Sequence, residues 1–250
     1  MRTNLRIVAA AALALGMVAL VTGCVSPVKV VKSPTPAAQT LDKNVALDGA
    51  TSLKTSLDMG VGELKVTGLE TSGTAMAGTF VFSPASWKPE VAYTVSGGVG
   101  TLSVKQPKST EIKLMDDNEN TWDVRIAKGV PTDLALEFGV GKATVDLRGV
   151  ELTSLSADSG VGETAIDLSG PRTTGFSGTI SSGVGRLTLR LPSSVGARVT
   201  GGADGLGQFL ADGESVESDS WVNDAYSGSG PKIDLTLNRG IGEVEILLVD

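Results

Sequence analysis

A Gly-x-Gly unit recurs along this chain at Gly60-Val61-Gly62, Gly98-Val99-Gly100, Gly139-Val140-Gly141, Gly160-Val161-Gly162, Gly183-Val184-Gly185, Gly205-Leu206-Gly207 and Gly240-Ile241-Gly242. From Gly139 to Gly205 the first glycines are spaced 21, 23 and 22 residues apart. A period of this size marks a stacked repeat in which each unit is one supersecondary turn that cannot bury its apolar face alone. Before a unit the apolar residues fall on one parity, as in Leu57, Met59 and Val61, in Leu134, Leu136, Phe138 and Val140, and in Ile233, Leu235, Leu237 and Ile241. After it they fall on the other, as in Leu64 and Val66, Val145 and Leu147, and Val244, Ile246 and Leu248. Successive strand residues point to opposite faces, so an unbroken strand would send one set into water. An inserted residue at the glycines returns both sets to one interior, and glycine suits a bulge or corner because it accepts positive φ. The pattern therefore predicts an all-β, solenoid-like stack of about 22-residue coils with Gly-x-Gly corners.

None of the units is followed by a helical pattern, which the phosphate-binding reading of glycine loops requires. The coil around Leu206 is expected to be irregular, because the extra Gly201-Gly202 pair shifts the strand before it. Stacked coils should align outward residues into ladders. The position after the corner reads Lys142, Glu163, Arg186, an alternation that favours one register. Upstream the spacing between units widens to 38 and 41, and residues 78–104 read as a hairpin with strands at Thr79–Phe82 and Glu90–Val95. Another strand is expected at Trp122–Ile126, ended by Gly129-Val130-Pro131.

The N-terminus carries a different signal. Arg2 and Arg6 precede an apolar run from Ile7 to Val21, then Thr22, Gly23 and Cys24, the order of a secretory signal peptide over 1–23. The run is shorter than the roughly 20 residues a membrane-spanning helix needs. Val21-Thr22-Gly23-Cys24 resembles a bacterial lipobox, which implies an acylated Cys24 as the mature first residue. Cys24 is the single cysteine of the chain, so no internal disulfide is open to it. Residues 24–45 read as a flexible linker, 46–127 as an N-terminal β region with the hairpin insertion, and 128–250 as the regular repeat.

Charge and composition exclude several functions. The net charge of −7 becomes −9 once Arg2 and Arg6 leave with the signal, which disfavours nucleic acid as a partner. There is no histidine, so the commonest general base, the commonest metal ligand and every Ser-His or Cys-His nucleophile are missing. No cofactor is expected. Asp116, Asp117, Asn118, Glu119, Asn120 and Asp123 form the densest oxygen-ligand cluster; without the spacing of an EF-hand they read as a solvated acidic loop, with calcium the weaker alternative. A carboxylate-based polysaccharide-acting enzyme is the alternative to a non-catalytic module, with Asp146 and Asp167 at equivalent positions on adjacent coils.

The Gly-Val-Gly-x-Leu-x-Val repeat, the Trp122–Ile126 strand, the Val130-Pro131-x-Asp133-Leu134 step and the Asp146-Leu147 and Asp167-Leu168 strand ends resemble the toast-rack family of bacterial envelope proteins, related to the extracytoplasmic region of LiaF-type stress regulators and to adhesin-like proteins. The resemblance covers most of Asp48–Asp250. It implies a right-handed solenoid-like fold and an envelope location, and it supplies no catalytic residues. The combined reading is a lipid-anchored, exported envelope module that binds an envelope protein or glycan. A self-assembling envelope scaffold is a further alternative, through open coil ends where no helix follows Ile246–Val249 to cover the edge.

Overall fold

The computed structural model describes residues 37–70, 73–108, 118–201 and 205–250. They form a fourteen-stranded sheet. Its strands are β1 (Gln39–Ala46), β2 (Ser52–Leu69), β3 (Thr74–Ser83), β4 (Glu90–Ser96), β5 (Val99–Lys105), β6 (Glu119–Ala127), β7 (Thr132–Asp146), β8 (Leu152–Asp167), β9 (Phe176–Pro192), β10 (Gly196–Gly201), β11 (Leu206–Ala211), β12 (Glu214–Ser215), β13 (Ser220–Val222) and β14 (Lys232–Val249).

The long strands lie side by side and parallel in the order β2, β7, β8, β9, β14. β7 and β8 stay in register through Asp146 opposite Asp167, yet only residues 147–151 join them. A strand of 15 residues held straight would separate its ends by roughly 50 Å, and a five-residue connection reaches about 20 Å. Each long strand must therefore double back on itself, and the glycines are where it does so. In β7 the buried residues run Leu134, Leu136, Phe138 and then Ala143, Val145, a change of phase by one residue across Gly139–Gly141. The two halves of a coil thus face each other across one core, as the parity of the sequence predicts.

That core is built in rows. Leu57, Leu136, Ala157, Ile180 and Leu237 sit at one register level in the first half-coil, and Val66, Val145, Ile166, Leu189 and Ile246 at one level in the second; all are buried. Phe80, Phe82, Trp87 and Trp122 are buried in this core, and Phe80 meets Trp122 edge-on at 5.4 Å between ring centroids.

At the corner the second glycine takes a φ of +133° to +142° in all five long strands, at Gly62, Gly141, Gly162, Gly185 and Gly242. The residue between the glycines corrects the sequence reading, which placed Val140 and Ile241, with Val61, in the inward set; only Val61 stays partly buried against the core. Val140, Val161, Val184 and Ile241 are each about half exposed, at 49%, 48%, 46% and 55%, because the bulge spends its extra residue pointing outward.

Four further expectations are corrected. The segment assigned to a linker up to residue 45 is already strand from Gln39, where β1 pairs antiparallel with β3. The hairpin over 78–104 does not form: β3 pairs with β1 and β6, and β4 with β5. Gly98-Val99-Gly100 is no coil corner. Gly97 and Gly98 make the tight β4–β5 turn at φ +57° and +80°, and Gly100 lies opposite Leu53. The C-terminal strand is not an edge, because β14 pairs with β9 on one side and with β10 and β11 on the other. The irregular coil expected near Leu206 is present: its halves are the separate strands β10 and β11.

The two ends of the stack follow one plan. Beyond β2 the half-coils continue as β5–β4 and as β6–β3–β1; beyond β14 they continue as β10–β13 and β11–β12. The parallel stack therefore ends in antiparallel strands, two of them only two or three residues long, which limits edge-to-edge pairing.

Candidate functional site

The glycine corners form one continuous edge of the molecule. Val61, Val140, Val161, Val184, Ile241 and Leu206 occupy one register level on β2, β7, β8, β9, β14 and β11. At about 4.8 Å between strands they make an aliphatic ridge roughly 24 Å long. The corner glycines Gly60, Gly139, Gly160, Gly183 and Gly240 flank it on one side, and Gly62, Gly141, Gly162, Gly185, Gly242 and Gly207 on the other. Gly205 precedes Leu206 in the irregular coil, where its carbonyl accepts from Arg239 Nη2 at 2.9 Å.

Beside the ridge runs the charged ladder. Glu63, Lys142, Glu163, Arg186 and Glu243 share a level, so the alternation read over three coils extends over five, and Arg186 Nε lies 3.1 Å from Glu243 Oε1. Replacing Glu163 by Lys sets three cations in a row. We expect Glu163→Lys to cost about 1 kcal/mol in denaturant titrations at low salt and Glu214→Lys only a few tenths, with the gap closing in 1 M NaCl. Equal costs would show that the ladder contributes nothing.

The corner of β2 has no further coil to pair with, and side chains stand in for one. Gln106 Oε1 accepts from the backbone N–H groups of Gly60 at 2.9 Å and Val61 at 3.2 Å. Asn120 Nδ2 donates to the Val61 carbonyl at 2.6 Å and to Gln106 Oε1 at 3.0 Å, while its Oδ1 accepts from Trp122 Nε1 at 3.0 Å. Asn120, counted in the sequence among loop oxygens, is 5% exposed and serves as a core cap. No sequence pattern marks Gln106; the polar residue flanking Trp122 was the available clue.

The opposite edge of the coil holds Asp146 and Asp167. Asp146 Oδ1 accepts from the Arg148 backbone N–H at 3.1 Å, and Asp167 Oδ1 from the Ser169 N–H at 2.9 Å, so both carboxylates close local turns. Arg148 also grips Asp146, with Nε at 2.9 Å from Oδ1, and approaches Asp167 Oδ2 at 3.8 Å. The hydrogen bond from Arg148 holds the Asp146 carboxyl below the ordinary carboxylate range, against the opposing effect of partial burial. A glycosidase acid needs a raised pKa, so this environment acts in the wrong direction.

Because the folded pKa of Asp146 is depressed, its stabilisation is present above the unfolded value near 3.9 and is lost as pH falls through the lower folded value. Arg148 is 58% exposed on its side chain, which limits the contribution of the pair. Asp146→Asn is expected to cost about 0.5 to 1 kcal/mol at pH 7, and the stabilities of variant and parent should converge as the acid pH falls through the lowered Asp146 value. A gap that persists in acid would assign the loss to packing.

Of the acidic-loop candidates, Asp116 and Asp117 lie outside the described residues, as does Cys24. Glu119 and Asp123 both belong to β6, about 13 Å apart along the strand, and Asp123 Oδ2 accepts from Lys65 Nζ at 3.0 Å. Among the described residues no group of three or more potential metal ligands converges. Among them also no helix is long and apolar enough to cross a membrane.

Comparison with known proteins gives the fold its kinship. No curated protein matches the chain. In solved structures, a candidate cell adhesion protein from Clostridium sporogenes ATCC 15579 is similar at 30% identity and a TM-score of 0.79, covering 85% of this chain and 100% of its own. A candidate adhesin from Bacteroides fragilis NCTC 9343 matches at 13% identity and a TM-score of 0.30, over 85% of this chain and 98% of its own, a likeness too low to argue from. The family model for the N-terminal domain of toast_rack, DUF2154, matches residues 34–190. With more than half of its length under that model and an aligned relative at 30% identity, this chain belongs to the toast-rack family.

Proposed function

We propose that this protein is a lipid-anchored, non-catalytic module of the bacterial cell envelope whose solenoid serves adhesin-like binding of an envelope protein or glycan. The observation that carries the reading is the alignment, over 85% of this chain, with a candidate cell adhesion protein at a TM-score of 0.79. It is supported by a body made of long regular faces, and by carboxylates Asp146 and Asp167 that are engaged in turn closure. The signal-like start and the Val21-Thr22-Gly23-Cys24 tetrad support export and acylation at Cys24. One acyl chain gives only marginal membrane binding, so stable tethering calls for the two or more chains a lipoprotein cysteine carries.

Palmitate labelling and fractionation of cells expressing the full chain test the anchor. Cys24→Ser should abolish the label and shift the protein out of the membrane fraction. Adherence of cells to immobilised envelope material tests the activity: it should fall when the gene is deleted and recover with the parent chain. Unchanged adherence with an intact anchor would sink the adhesin-like reading, and a changed transcriptional response to cell-wall stress in the deletion strain would favour the sensing role known in related regulators.

A further inference from the structure

A soluble surface rarely repeats an exposed aliphatic residue at the same level on five adjacent strands. Val140, Val161, Val184, Ile241 and Leu206 do this, with Leu206 69% exposed, and Val61 continues the row in a partly buried position. A row of side chains at a repeat of about 4.8 Å is matched in spacing by another copy of itself.

We propose that the ridge is a homodimer contact in which two copies meet edge to edge, antiparallel, about a two-fold axis passing between β8 and β9. The flanking charges select this arrangement. With all six levels overlapped, Val161 faces the partner's Val184, Val140 faces the partner's Ile241, and Val61 faces the partner's Leu206. In the ladder beside the ridge, Lys142 then lies across from the partner's Glu243 and Glu163 across from the partner's Arg186, both of opposite sign. On the other flank Asp58, Glu137, Asp158, Ser181 and Asn238 share a level. Glu137 there meets the partner's Asn238 and Asp158 the partner's Ser181, with no like-charge pair.

A slip of one coil toward the N-terminal end sets Asp158 against the partner's Asp158 and Lys142 against the partner's Arg186, and a parallel arrangement sets the acidic row against the mixed ladder. Two-fold closure also limits the assembly to a pair. The ridge is roughly 24 Å long and one side chain wide, well under the 800 Å² per partner of a stable interface. The contact is therefore weak in dilute solution and gains from confinement of both copies on one membrane.

Disulfide cross-linking of the full chain in cells tests the geometry, with the parent chain carrying only Cys24 as the background. Val61→Cys and Leu206→Cys, co-expressed on differently tagged copies and oxidised with copper phenanthroline, should give a mixed dimer at least tenfold above either variant alone. In the proposed pairing Val61 lies about 24 Å from the partner's Val61, so neither variant links to itself. Addition of Val161→Asp to both copies should abolish the mixed link. Val61→Cys linking to itself, or no mixed link above background, overturns the proposal. So does absence of links together with loss of binding to phosphatidylglycerol vesicles in Val161→Asp, which would assign the ridge to a lipid surface.

Discussion

Gly162→Ala is expected to unfold the chain at physiological temperature. Gly162 sits at φ +137°, an extended left-handed conformation that costs an L-residue about 1 to 3 kcal/mol, and its added Cβ would overlap the backbone carbonyl of Gly141 on the neighbouring coil. That carbonyl belongs to a ladder held on both sides and has nowhere to retreat. Strain and overlap together should exceed about 4 kcal/mol, most of the stability of an ordinary domain. Gly129→Ala provides the contrast. Gly129 also has a positive φ, +67°, but a Cβ there meets nothing within 4 Å, so the cost should stay near 1 to 2 kcal/mol. Guanidinium unfolding of both variants decides the matter, and similar midpoints would remove the close stacking of corners as the reason for glycine.

Loss of the cap on the first corner should be nearly as severe. Asn120→Ala strips the buried Trp122 Nε1–H of its acceptor and the Val61 carbonyl of its donor, and a buried polar group left unmade costs about 1 to 3 kcal/mol. We expect a total near 3 kcal/mol. Asn120→Asp should be at least as damaging despite its similar shape, because it keeps the acceptor for Trp122, loses both donors and buries a charge. Gln106→Ala, at a more exposed position, should cost about 1 kcal/mol. An Asn120→Asp variant as stable as the parent, measured at pH 7, would show that the cap is not holding the corner.

The repeat was legible because one backbone event, a single inserted residue, leaves a trace in the phase of every flanking aliphatic side chain. Leu136 and Phe138 before the corner and Ala143 and Val145 after it report the same interior from opposite parities. Phase alone does not say where the inserted residue itself points. Val140 keeps the parity of Phe138, so it reads as inward, while the bulge turns it to solvent. The spacing of Lys142, Glu163 and Arg186 was enough to forecast a ladder, since period and register coincide when coils stack directly.

The ends were not legible. Strand order there departs from sequence order: β3 looks like half of a hairpin with β4 because the two are close in the chain, but its partners β1 and β6 lie on its two sides in the sheet. Pairing across such distances depends on which hydrogen-bonding edges the finished stack leaves open, a property of the assembled coils that no local window contains. The same reason hid the role of Asn120, whose three partners come together only when the corner of β2 and the start of β6 meet.

The placement of β14 sets the timetable for reaching the native state. Phe176 must hold its place 57 residues before Ile233 arrives beside it, and β10 and β11 have no parallel neighbour until then. The C-terminal third therefore cannot complete its parallel ladder until β14 has been made. The eighteen residues of β14 act as a keystone: a premature stop before Lys232 would leave the edges of β9 on one flank and of β10 and β11 on the other without their parallel partner.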